Sequence, residues 1–224
     1  MFYYYYIYIC TLNSNRMKKS KKGISIKTKP LPIQDVKDFY IGEFQSVLNK
    51  NVAYKFERLT ECLLFTLQAK TGLRISDVLD LKYSNIILNS TDIYLELVLK
   101  KTKNLLTLPI DRVMYKMIQE HKEYCLSEFN VIDEHIFFNY KTNKQFSYIW
   151  CNKRINVLNN SGVLGKVYDN IGTHSIRKGL AEYLYNKKGL RTTQYLLGHK
   201  SMLTTEIYLE LDKERHLKDL KEVL

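Results

Sequence analysis

The 224 residues carry 35 lysines and arginines against 23 aspartates and glutamates, a formal charge of +12, and the length fits one domain with a substantial core. That balance suits a polyanionic partner, and leaves nucleic acid, a merely basic enzyme and a ribosome-associated protein as open readings. Cys10, Cys62, Cys125 and Cys151 are scattered, without a CxxC pair or a histidine at ligand spacing; this excludes a disulfide framework and a zinc site and leaves reduced, buried thiols in a cytosolic protein.

Residues 1–12 are apolar and aromatic, but too short to span a bilayer and not preceded by the positive stretch of a secretory signal. They read as an extension outside the fold, with Met17 as an alternative start; a membrane or partner anchor is the competing reading. A basic arm containing Ser, Gly and Pro extends from there to residue 32, either a solvated leader or a segment that touches phosphates. Helical spacing then sets in over 34–48 (Val36, Tyr40, Phe44, Val47, Leu48) and over about 53–70, a stretch apolar enough to lie at the centre of the domain. Thr71-Gly72 closes the second helix, and Leu73 to Leu81 opens a third with Ile75, Val78, Leu79 and Leu81 inward. Arg74 stands at its start, where backbone dipoles favour an anion; pairing with Asp77 at i+3 is the bland alternative, and both can hold at once.

From 85 to 110 the period changes to two. Ile93, Leu95, Leu97 and Leu99 alternate with Tyr94, Glu96, Val98 and Lys100, and Leu106, Leu108 and Ile110 alternate again after the tip Lys100-Lys101-Thr102-Lys103-Asn104, so a β-hairpin is expected with a short strand at 85–88 before it, its tip lysines either a solvated turn or, at Lys100 and Lys103, DNA-contact candidates. Helices are expected at about 111–128 and 145–160, the second basic (Lys144, Lys153, Arg154) and aromatic (Phe146, Tyr148, Trp150), with Lys153 and Arg154 as DNA-contact candidates and the aromatics as core. No internal repeat, Walker loop, GxGxxG or HExxH occurs, so nucleotide hydrolysis and zinc hydrolysis lose their usual supports.

Residues 173–208 carry the chemistry. On a helix beginning near Thr173, His174 and Arg177 share one face at i,i+3, opposite a stripe of Ile176, Leu180, Tyr183 and Leu184. Arginine presents a planar fork of donors to phosphate oxygens, and histidine moves protons near neutrality. Gly198 suits a left-handed helix end, His199 sits in the turn after it, and Ser201 suits the N-cap of a helix with Tyr208 about two turns in. A tyrosine presented to a clamped phosphodiester can act as a covalent nucleophile.

These residues resemble the tyrosine recombinases, the family of phage integrases and of Xer-type and inverting recombinases. Thr71 to Asp77 is similar to that family's first arginine box, with aspartate where many members have glutamate. The hairpin ending in Leu108-Pro109 is similar to its lysine-bearing hairpin, with Lys101 the best match and Lys100 and Lys103 as fallbacks. His174-Ser175-Ile176-Arg177 and Leu197-Gly198-His199 resemble the second and third boxes, and Tyr208 the nucleophile. The resemblance implies a mainly helical α+β catalytic domain over 31–211 with a small antiparallel sheet, after a basic leader at 1–30 and before an amphipathic tail helix at 212–224 (Leu217, Leu220, Leu224) that docks on a neighbour or packs in cis. It implies a site-specific recombinase that cuts and rejoins double-stranded DNA through a 3′-phosphotyrosyl link, with no cofactor, metal or ATP. Arg74, Arg177 and His199 would clamp the phosphate, Lys101 would protonate the leaving oxygen, His174 would assist at Tyr208, and Asp77 would support Arg74. The implied partners are a tetramer on two DNA sites and accessory DNA-bending proteins, in a cytoplasmic, nucleoid-associated setting without membrane. Many integrases carry a separate core-binding domain before the first box, and the short stretch ahead of Arg74 resembles a lone catalytic domain instead. The alternative function is a catalytically silent DNA-binding relative acting as a regulator; a topoisomerase-like relaxing enzyme is a third reading.

Overall fold

Pro32, which cannot continue a helix upstream, precedes α1 (Ile33–Leu48), whose Ile33, Val36, Tyr40, Phe44 and Val47 are buried at helical spacing. They pack against α2 (Lys55–Thr71), where nearly every side chain from Leu59 to Ala69 is buried, so α2 is the central helix. The computed structural model describes residues 28–211 together with Leu217, Leu220 and Lys221. The aromatic extension, the basic arm before Thr28 and most of the tail helix lie outside the described residues; Leu217 and Leu220 are helical and about half exposed.

Burying so complete a helix places polar groups in the core, and several of them are answered by partners from other helices. Glu61 receives Arg58 at 2.9 Å and Arg154 Nε at 2.6 Å. Thr60 Oγ1 and His121 Nε2 are 2.9 Å apart. Three of the four cysteines, Cys62, Cys125 and Cys151, are free and buried.

Beyond α2, the short α3 (Ile75–Leu79) and a 3-10 turn (Tyr83–Asn85) lead into an antiparallel sheet of β1 (Ile86–Leu88), β2 (Ile93–Val98) and β3 (Leu105–Ile110), in that order. The register pairs Leu95 with Leu108 and Leu97 with Leu106, which turns one leucine face into the core and leaves Val98 and Leu105 outward. Next come α4 (Arg112–Phe129), capped by Asp111 accepting from the Met114 amide, and α5 (Tyr148–Asn160), capped by Ser147 accepting from the Trp150 amide.

Two expectations change. The helix expected from 145 begins at Tyr148, because Lys144-Gln145 form β5 against β4 (Phe138–Asn139) and Ser147 caps α5. Two-residue strands are too short to show alternation in sequence. Of the aromatics there, Phe146 is buried with Trp150 4.5 Å away, whereas Tyr148 is exposed.

Two further helices follow, α6 (Thr173–Leu197), kinked at Gly189, and α7 (Met202–Leu209). The buried stripe of α6 stops at Ala181. Tyr183 is exposed and Leu184 only half-buried, since the middle of the helix projects from the core before Thr193 and Leu197 return to it. Among the described residues no helix is long and apolar enough to cross a membrane.

Candidate active site

Two helix ends and two helix starts meet at one place. α2 ends at Gly72 (φ 64°) and α6 ends at Gly198 (φ 61°), both left-handed. α3 starts at Arg74 and α6 at Thr173. Gln68 ties them, its Nε2 donating to the Leu73 and Thr173 carbonyls.

Arg177 sits at the centre and is 1% exposed. Its Nη1 donates to the Gly72 carbonyl and its Nη2 to the Leu197 carbonyl at 2.8 Å. Both acceptors belong to helix C-terminal ends, where the dipole favours a cation. The two members of the i,i+3 pair expected on one face are thus differently exposed. His174 is exposed, but Arg177 is swallowed, because the ends of α2 and α6 close over it. Burial still lowers its pKa to about 10, leaving it charged at neutral pH.

Arg74 is mostly buried, with Nη1 4.0 Å from Asp77 Oδ2, an ion-pair contact without a hydrogen bond. Asp77 Oδ1 accepts from the Lys100 amide at 2.9 Å, which fastens the hairpin tip to α3. The three lysines of the tip then separate. Lys100 Nζ pairs with Asp80 at 2.9 Å, Lys103 takes the left-handed turn position (φ 56°), and Lys101 is the one whose charge reaches both His174 and His199. Of the helix candidates, Lys153 is exposed, whereas Arg154 is mostly buried and paired with Glu61 inside the fold.

Tyr208 enters from α7. Its ring lies 5.9 Å from the Arg177 guanidinium carbon and 5.6 Å from the His199 ring, edge on. His199 is held by Thr205 Oγ1, 3.1 Å from its Nδ1, and by its backbone carbonyl, which accepts from Gln194 Nε2. Thr205, Gln194 and Gln68 carried no signal at the level of sequence, since their roles come from contacts across the fold. The Tyr208 hydroxyl is buried without a well-formed hydrogen bond, as is Arg74 Nη1. Buried polar groups of this kind are normally satisfied, and a donor pair aimed into one site suits the oxygens of an anion.

Burial raises the pKa of Tyr208, although Arg177 and Arg74 pull against it. Burial, followed by the charges of Arg177, Arg74 and Lys101, lowers His174 and brings His199 to about 4. At neutral pH the site therefore holds a protonated tyrosine, two neutral imidazoles and three cations. Such a site can clamp a phosphate, take a proton from the phenol and return one elsewhere.

The fold and site thus define a mostly helical architecture in which a buried arginine, a histidine and a buried tyrosine meet. The chain belongs to the phage integrase family, whose model matches residues 44–215. It is 31% identical over 153 residues to the tyrosine recombinase XerC of Pediococcus pentosaceus, covering 65% of this chain and 48% of that protein. It is 29% identical over 155 residues to XerC of Histophilus somni, covering 69% and 50%. The chain thus spans about half the length of the curated relatives it matches. The fold matches the XerH site-specific recombinase bound to difH substrate with a TM-score of 0.62 at 22% identity, over 96% of this chain and 61% of that one. It matches a lambda integrase dimer bound to a COC′ core site with a TM-score of 0.52 at 20% identity, over 87% and 50%.

Proposed function

We propose that this chain acts as a site-specific DNA recombinase or integrase, cutting and rejoining double-stranded DNA through a covalent tyrosine intermediate. The observation that carries this reading is the placement of Tyr208 against both Arg177 and His199, 5.9 Å and 5.6 Å away. Arg74, Arg177 and His199 hold the non-bridging oxygens of the scissile phosphate and offset the charge that builds on them. The Tyr208 oxygen attacks phosphorus as its proton passes to His174, which is neutral at working pH. The bond from phosphorus to the 5′-oxygen breaks, and Lys101 delivers a proton to the departing oxygen. A 3′-phosphotyrosyl link and a free 5′-hydroxyl result. Attack by a 5′-hydroxyl from a partner strand reverses each step, and since the link conserves the phosphodiester's energy, no nucleotide hydrolysis is called for.

A lambda integrase tetramer bound to a Holliday junction shares this fold, with a TM-score of 0.51. By analogy the working assembly proposed here is a tetramer on two duplexes, with accessory DNA-bending proteins, in the cytoplasm on nucleoid DNA. The test is covalent trapping. The protein and a Tyr208→Phe variant are incubated with nicked duplexes from the DNA flanking the coding region, then denatured. A protein–DNA adduct that Tyr208→Phe abolishes is the expected result; binding without any adduct would favour a DNA-binding regulator instead.

A further inference from the structure

The helix that carries Tyr208 is lightly held. It spans Met202–Leu209, and of its apolar side chains Leu203 and Ile207 are exposed at 61% and 64%. Its apolar grip on the body is a small buried cluster of Ala181, Leu197 and Leu209, with Tyr185, Leu190, Tyr208 and Leu211 half-buried against it. Directly beyond it Glu210 ends the helix in the left-handed conformation (φ 55°), which side chains other than glycine adopt at a cost. The turn itself is closed by the Glu210 amide donating to the Ile207 carbonyl and the Leu211 amide to the Glu206 carbonyl, and something must still seat this helix end on the body.

The neighbour of Arg177 does so. Lys178 is buried, its side chain 9% exposed, yet it carries an ammonium. Its Nζ donates to Glu210 Oε1 at 2.7 Å and to the Thr28 carbonyl at 3.3 Å. The segment after Thr28 is itself laid along α6: the Lys29 amide donates to the Asn170 carbonyl and the Leu31 amide to the Ser175 carbonyl. A β-carbon at Gly179 would fall 2.1 Å from the Leu31 carbonyl oxygen, so backbone meets backbone there.

We propose that Lys178 is a positioning residue for the nucleophile, an internal latch that sets the Tyr208 helix by joining Glu210 on one side to the Thr28 segment on the other. Because Lys178 and Arg177 are successive residues of one helix, the group that clamps the phosphate and the group that places the tyrosine move together. A lysine in this enclosed position favours one partner geometry strongly, since leaving it unpaired would strand a buried charge. This inference deepens the reading of Tyr208 as nucleophile and rests on it.

Two measurements on the full chain test it, and the first does not depend on that reading. Hydrogen exchange of wild type, Lys178→Met and Glu210→Gln should show faster exchange in peptides covering 202–211 in both variants, with exchange in α2 unchanged. Glu210 is partly exposed, so Glu210→Gln keeps the test alive if Lys178→Met does not fold. The second is the rate of covalent adduct formation on a nicked duplex that wild type cleaves. Both variants should lose about tenfold in that rate, the scale of a small misplacement of a reacting group, with DNA affinity within twofold of wild type. Lys178→Arg, which keeps donors for both Glu210 and the Thr28 carbonyl, should recover most of the rate, which a merely structural loss would not allow. Unchanged exchange over 202–211 in both variants overturns the latch whatever the DNA results. Faster exchange with no wild-type adduct would leave the latch standing and sink the nucleophile reading instead.

Discussion

Burying a guanidinium is expensive unless its donors find acceptors, and Arg177 finds two of its own at the ends of α2 and α6. Lysine at this position cannot reach both carbonyls as a fork. Arg177→Lys should therefore leave a buried carbonyl unsatisfied, costing about 1–3 kcal/mol in a thermal or denaturant melt, and should slow adduct formation about 100- to 1,000-fold. The residue types and order of the site were legible in the sequence, down to Arg74 beside its glycine and Tyr208 on a helix begun after Ser201. That Arg177 is structural as well as cationic was not legible, since its acceptors are backbone carbonyls, which no residue type announces. His121 is a second case. It is fully buried beside Thr60 with its pKa lowered to about 4 by burial alone. The unfolded chain, near the ordinary value of 6.5, binds a proton before the folded one does. The stability held above about 6.5 is therefore lost as pH falls towards about 4, by an amount on the order of 3 kcal/mol. Melts across that range should show the decline, and His121→Gln should shrink it, leaving the part that His199 and His174, lowered in the same direction, contribute.

Elements meet through their ends here, and Gly198 shows why the ends matter. It has φ 61°, and a β-carbon there would lie 2.4 Å from Leu99 Cδ1 at the base of the hairpin. Gly198→Ala should lose about 1–2 kcal/mol from the backbone conformation and also push the hairpin away from His199, slowing adduct formation. Gly162 has φ 75° with open space around it. Gly162→Ala should show a comparable loss in the melt and leave the adduct rate untouched; equal adduct rates for the two variants would mean that the hairpin contact does not matter. Periodicity was informative for α1, α2 and the β2–β3 pair, where one face is buried along the whole element. It misled where burial changes along an element, as at Tyr183, and where strands are as short as Lys144-Gln145. Which stretch of α6 is exposed depends on what packs beside it in the fold, and no local pattern encodes that.

For the molecule as a whole, the charge of +12 makes a prediction of its own. If DNA is the partner, affinity should fall steeply with salt. A footprint of about 6–10 phosphates loses roughly 1,000- to 100,000-fold between about 50 and 200 mM. Anisotropy titrations at several salt concentrations would give the slope. Lys153→Ala, on an exposed lysine of α5, should reduce that slope by about one and weaken all sequences alike. Arg154→Ala should instead act through stability, because it strips a partner from buried Glu61.

Family, fold class and the chemical cast of the site were written into the linear order, because each depends on residue types at short spacings that local backbone geometry preserves: a glycine before an arginine, an i,i+3 pair, an alternating hairpin. Assignment among similar residues needed the folded chain. Lys100, Lys101 and Lys103 are equivalent as letters, and they part only once Asp80 claims the first and the turn takes the last. Lys153 and Arg154 part in the same way when Glu61 takes the arginine. The partnership of Lys178 with Glu210 spans 32 positions and rests on two helices meeting. A charge's partner is decided by proximity in space and by the cost of burial, and both exist only after the chain has packed.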